Sequence, residues 1–93
     1  MVTMGVIMSD QSVSTRYSVQ VGAFRTEAAA NSVANPLVYL GYPVRVIQQD
    51  GLYFVLVGDY PLLSEATEAE QDLNLLGYET LIKEFEQKEL PNL

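Results

Sequence analysis

The sequence contains no cysteine and no histidine. The first absence removes disulfides, thiolate nucleophiles and thiolate metal sites. The second removes the imidazole general base, the nucleophile–histidine pair and the imidazole metal ligand. Only carboxylates remain as hard-metal ligands, and Glu65, Glu68, Glu70 and Asp72 follow no calcium-loop spacing; they read as a solvated helix surface. No metal and no cofactor is expected. Basic side chains are also scarce: five against twelve acidic ones, for a net charge of −7 at pH 7. A field of that sign repels a phosphate backbone, so nucleic acid is a poor partner. The apolar run at residues 1–8 is too short to cross a bilayer, so membrane insertion by this segment is not expected. It also lacks the basic start and small-residue cleavage site of a signal peptide.

What is present is a hydrophobic fraction of 48% in 93 residues, enough for one small folded domain. Residues 1–15 read as a flexible N-terminal tail or linker, residues 16–84 as the domain and residues 85–93 as a C-terminal tail.

The most informative feature is internal. A shift of 36 positions lays the apolar frame on itself. Tyr17, Val19, Val21 and Gly22 fall on Tyr53, Val55, Val57 and Gly58. Phe24 falls on Tyr60, and Ala30, Val33, Leu37 and Leu40 fall on Ala66, Ala69, Leu73 and Leu76. Gly41 and Tyr42 fall on Gly77 and Tyr78. Each copy alternates as a half-buried strand does, then shows a three-and-four spacing that puts a stripe on one side of a helix, then alternates again. Thr26–Glu27 and Ser64–Glu65 are candidate helix starts, and Gly41 and Gly77 are natural C-terminal stops. Pro36, which lacks an N–H, predicts a kink or break near Ala34 and Asn35. Asp50–Gly51 accepts positive φ at both positions and predicts a hairpin between the copies. The order is therefore β-α-β-β-α-β. This is an α+β, ferredoxin-like arrangement: a four-stranded antiparallel sheet in the order 4-1-3-2, with two helices on one face.

Strand parity then separates the sheet faces. With Tyr17, Val19, Val21, Val44, Val46, Tyr53, Val55, Val57, Thr80 and Ile82 toward the helices, the opposite face presents the remaining positions. These are Arg16, Ser18, Gln20 and Gly22; Pro43, Arg45 and Ile47; Leu52, Phe54, Leu56 and Gly58; and Glu79, Leu81 and Lys83. Phe54, Leu56, Leu81 and Ile47 make this face more apolar than a solvated one. It also carries three of the five basic residues. Phe54 can stack on a flat apolar partner, Gln20 and Ser18 can pair with hydroxyls or amides, and the arginines can hold a carboxylate. A glycan or a peptide fits that set. Arg25, Asn31 and Asn35, near the exit of the first strand, are rim candidates, as are Arg16, Leu81 and Lys83. The bland alternative is that residues 1–8 simply pack over Phe54 and Leu56.

The stretch from Tyr17 through Ser18, Gln20 and Gly22 to Phe24 resembles the opening motif of the SPOR (sporulation-related repeat) domain. Gly41-Tyr42-Pro43-Val44, the strand from Leu52 to Tyr60, and Leu76-Gly77-Tyr78 are similar to its later landmarks. The resemblance spans residues 16–84. It implies a bacterial, non-catalytic module of the cell envelope, periplasmic or extracytoplasmic, that binds peptidoglycan at division septa or the spore envelope. It implies a preference for glycan strands lacking stem peptides. It places the glycan over Ser18, Gln20, Gly22, Arg45, Phe54 and Leu56.

Two other functions compete. The same apolar face could serve a protein partner or homo-association. Single-stranded RNA binding shares the strand order, but Ser18 and Gln20 stand where such folds place a stacking ring. An enzyme is not expected: no nucleophile–base pair exists, and Glu79 has no carboxylate mate for glycosidase chemistry.

Overall fold

A computed structural model describes residues 13–88. The readings of residues 1–12 as linker, of residues 1–8 as a cover for the sheet and of residues 89–93 as tail lie outside the described residues. The elements run β1 (Val13–Phe24), α1 (Glu27–Tyr39), β2 (Val44–Gln49), β3 (Leu52–Tyr60), α2 (Leu63–Leu75) and β4 (Leu81–Lys88). The strands form one antiparallel sheet in the order β2-β3-β1-β4. This is the expected ferredoxin-like order read from its other edge. The two most regular alternators, β1 and β3, hold the centre.

Both helices lie on one face. Val19, Val21, Val55 and Val57 of the sheet meet Ala30, Ala34 and Leu37 of α1 and Ala66, Ala69 and Leu73 of α2. The alanines let the helix backbones approach the strands, and the repeat-related Leu37 and Leu73 fill the space beneath, both wholly buried. The stripe fails at its last position. Leu40 and Leu76 are 58% and 50% exposed, because each is the residue that caps its helix, beyond the last packed turn.

The two helix ends share one stop. Gly41 donates to the Val38 carbonyl at 2.9 Å and Tyr42 to Leu37 at 3.0 Å; Gly77 donates to Asn74 at 3.0 Å and Tyr78 to Leu73 at 3.1 Å. That pair of bonds is the Schellman closure, and it requires the left-handed backbone of Gly41 and Gly77, φ 99° and 100°. The following tyrosine is thereby turned onto the core in both copies. Asp50 and Gly51 have φ of 55° and 78°, as a two-residue hairpin turn demands.

Three elements differ from their sequence readings. First, α1 runs unbroken through Pro36. The proline sits in the last turn, its own carbonyl still accepts from Leu40 at 3.1 Å, and buried Ala34 and Leu37 on either side hold the turn to the sheet. The cost is confined to the missing N–H bond toward Ser32. Pro36→Ala is expected to raise stability by about 1 kcal/mol or more. A lowered urea midpoint would contradict this account. Second, α2 starts at Leu63, with Leu62 as an N-cap that offers no side-chain bond. In α1, by contrast, Thr26 Oγ1 accepts from Ala29 at 3.2 Å as expected. Third, β1 begins at Val13 and β4 extends to Lys88, pairing Val13 with Lys88 and Arg16 with Phe85 beyond the end of β3. The segments read as tails thus contribute a two-stranded ribbon. Its polar residues, Ser14, Thr15 and Glu86, carry too little alternation to announce a strand.

Candidate functional site

Two offsetting irregularities between β1 and β3 decide which side chains reach the open face. Tyr17 pairs with Tyr60 but Val19 with Val57, so Ser18 stands opposite two residues, Gly58 and Asp59. Gly58 has φ 78°, the left-handed backbone of a glycine-started bulge. Further on, Gln20 pairs with Leu56 but Gly22 with Val55, so β1 carries Val21 as an extra residue and the register returns. Beyond that bulge Phe24 turns to the helix side and packs on the core. Gly22 turns with it: its partner Val55 is a core residue, and a Cβ added at Gly22 would lie 2.5 Å from Phe24 Cε2. At the repeat-related position, a Cβ on Gly58 would overlap the Tyr60 ring. Gly22 and Gly58 were expected on the open face, Gly22 as a glycan contact. Each instead makes room for a helix-side ring, because a bulge resets the alternation on which the expectation rested.

The open face holds a shallow depression at its centre. Leu56, only 2% exposed, forms the floor beside Gln20, and Ile47, Phe54, Lys83 and Phe85 form the walls. The Lys83 ammonium lies 5.9 Å from the centroid of the Phe54 ring, and the Arg45 guanidinium 5.8 Å from that of Phe85. Cations at such distances are attracted to the ring faces, by about 0.5–1 kcal/mol at exposed sites. Gln20 Oε1 is buried and has no hydrogen-bond partner among the described residues. That leaves the oxygen free of protein partners at the lining of the depression, where a ligand donor can meet it.

A second depression adjoins the first. Phe85 and Ile47 line both, and Arg16, Arg45, Asp59 and Glu86 complete the second. Arg16 Nε pairs with the Asp59 carboxylate at 2.9 Å, and its Nη2 donates to the Asp59 carbonyl at 3.1 Å, which cancels its charge locally.

Ser18 is 0% exposed. Its hydroxyl donates to the Gly58 carbonyl at 2.7 Å and accepts from Arg45 Nη2 at 2.7 Å. Ser18 was expected to touch the ligand; the bulge buries it instead, and it holds Arg45. Ser18→Ala leaves the Gly58 carbonyl without that donor, and an equilibrium unfolding loss of about 1–3 kcal/mol is expected. An unchanged urea midpoint would show that the hydroxyl does not tie the bulge.

The structure therefore gathers Gln20, Phe54, Leu56 and Lys83 around one depression, with Arg16 and Arg45 beside it. Leu81, 55% exposed, borders Gln20 on the β4 side. Arg25, Asn31 and Asn35 are exposed but line neither depression. Arg25 leads into α1 and the two asparagines belong to that helix. Phe85, on the extension of β4, lies one residue past the domain boundary read from the sequence. The alternation Leu81, Lys83, Phe85 was the signal that continued past it.

On the helix side, a separate cleft between the end of β3 and α2 is lined by Tyr42, Tyr60, Glu65, Glu68 and Asp72. Burial, then the charges of Tyr42, Asp72 and Glu65, hold the Tyr60 phenol above its ordinary 10.0. The acids there repel an anionic polymer, whereas the open face carries cations. Among the described residues no group of three or more acidic side chains could hold a metal ion, and no helix is long and apolar enough to cross a membrane.

The sequence profile of the SPOR domain matches residues 13–83. No curated protein is significantly similar in sequence. A similar solved structure is the solution structure of the peptidoglycan-binding domain of the B. subtilis cell wall lytic enzyme CwlC. It has a TM-score of 0.71 and 29% identity, covering 77% of this chain and 91% of that one.

Proposed function

Because the chain belongs to the SPOR domain family, we propose that it binds bacterial peptidoglycan without catalysis, through the open sheet face, and so associates with the cell envelope. The observation that carries this reading is the central depression, with its apolar floor, two phenyl walls and polar groups at the edge. A pyranose ring has the complementary make-up: C–H faces that stack on aromatic rings and an equator of hydroxyl and amide groups. Phe54 and Phe85 offer the stacking surfaces. Lys83 and Arg45 offer donors. Gln20 Oε1, which has no protein partner among the described residues, accepts from a hydroxyl or from an acetamido N–H. The likeness to a domain described as peptidoglycan-binding supports the same assignment.

The finer specificity follows from shape. The depression is shallow, and its floor is made of sheet side chains. A stem peptide on alternate sugars props a strand away from such a floor, so strands lacking stem peptides bind better. Among the described residues the carboxylates near this face, Asp59, Glu79 and Glu86, are all exposed, and Asp59 is paired with Arg16, so none has the buried setting that keeps a glycosidase acid protonated.

The test is co-sedimentation of the full chain with purified sacculi, intact and after amidase removal of stem peptides. Enrichment on the stripped material is expected. Equal retention on both removes the proposed preference. Retention on neither, with dimerisation that covers the sheet, replaces the glycan by a second copy of the chain.

A further inference from the structure

Resting on the glycan reading above, we infer that Arg45 reads the free lactyl carboxylate that a muramyl residue exposes once its stem peptide has been removed. In a peptide-bearing strand that carboxyl group is locked in an amide and is neutral. In a stripped strand it is an anion. At that lactyl position one ligand is neutral and the other anionic, and the open face carries a group suited to detect the difference.

The charges on this face are not equivalent. Arg16 is neutralised by Asp59 at 2.9 Å. Arg45 and Lys83 have no carboxylate within 4.0 Å among the described residues. Two unneutralised cations on one face are not the general character of a chain with net charge −7. Arg45 is also held in place. Ser18, itself buried and tied to the Gly58 bulge, accepts from its Nη2, and the Phe85 ring lies beneath the guanidinium. A single bond to neutral Ser18 leaves the other guanidinium N–H groups for a ligand, and a planar fork matches a carboxylate. Position completes the argument. Phe85 divides the depression that takes the sugar from the one beside Arg45, so a ring stacked in the first carries its substituent toward the second. Glu86 and Asp59 also line that second depression, so the attraction is not a broad positive field. It acts at hydrogen-bond range, and added salt screens it less than it screens long-range charge.

The experiment compares two ligands that differ only at the carboxyl group. Amidase-stripped glycan strands are used as they are, or with their lactyl carboxylates capped as neutral methylamides, and the full-length chain is titrated with each. Capping is expected to weaken wild-type binding about tenfold, the scale of one charge-assisted hydrogen bond. Arg45→Gln should bind the native strand about tenfold more weakly than wild type and respond little to capping. Phe54→Ala should weaken both strands by the same factor. Equal affinity of the wild type for native and capped strands overturns the carboxylate assignment while leaving glycan binding standing. No measurable binding of either strand overturns the glycan reading itself. Capping that weakens wild type and Arg45→Gln alike shows that another cation reads the charge, and overturns the role given to Arg45.

Discussion

Gly58→Ala is expected to destabilise the domain by about 3 kcal/mol or more, the largest stability effect of any single methyl added to this chain. Two costs add. A non-glycine residue in the left-handed backbone region loses about 1–2 kcal/mol, and Gly58 sits at φ 78°. The new methyl also runs into the Tyr60 ring, and overpacking of that kind costs about 1–3 kcal/mol. The ring cannot swing away freely, because it packs against the core. The bulge cannot relax either: Gly58 donates to Pro43 at 2.8 Å and accepts from buried Ser18 at 2.7 Å. Gly51 supplies the internal control. It has the same φ of 78°, but a Cβ there meets nothing within 4 Å. Gly51→Ala therefore reports the backbone cost alone, and the difference between the two variants isolates the collision. Pairing Gly58→Ala with Tyr60→Leu should recover part of the loss. Equal urea midpoints for Gly58→Ala and Gly51→Ala would show that the ring yields at no cost.

That position also marks where the sequence stops being legible. The thirty-six-residue repeat, the alternation of β1 and β3, the Asp50–Gly51 turn and the two glycine helix stops all express local rules that survive packing. They led to the strand order and the helix-covered face. The open face was legible as far as alternation holds, which is why Gln20, Arg45, Phe54, Leu56 and Lys83 emerge where parity put them. Alternation assumes one residue per step, and the bulges at Gly58 and Val21 break that assumption. Ser18 then becomes a buried strut under Arg45 rather than a ligand contact, and Gly22 becomes the seat of the Phe24 ring. Nothing in the composition of Val19-Gln20-Val21 announces an extra residue; the register of the partner strand creates it. The helix-side rings were themselves a clue. Gly-X-aromatic recurs as Gly22-Ala23-Phe24 and Gly58-Asp59-Tyr60, and a glycine two residues before a core ring is what a ring folded back over its own strand requires.

Phe85→Ala is expected to cause the largest loss of glycan affinity of any single substitution, well over tenfold, with the domain still folded. Among the described residues, Phe85 alone serves three roles on the open face. It walls the central depression, it lines the neighbouring one, and it supports the Arg45 guanidinium at 5.8 Å. Phe54 walls only the first and supports only Lys83 at 5.9 Å. Truncating an aromatic anchor in a binding surface commonly costs about 2 kcal/mol or more, and losing the ring beneath Arg45 adds the disorder of a cation that must be fixed to bind. Stability should suffer less. Phe85 is half-buried on the edge strand β4, opposite Arg16, outside the helix-packed core, so about 1 kcal/mol or less is at stake. Phe85→Leu separates the roles: it keeps apolar area against the sugar but removes the ring face that holds the cation. Phe85→Leu should therefore bind between wild type and Phe85→Ala, and should lose most of the response to capping the lactyl carboxylates. Titration of the three proteins with stripped strands, beside their thermal melts, decides the matter. Wild-type affinity in Phe85→Ala would place the sugar elsewhere on the sheet, away from the ribbon that β4 adds to it.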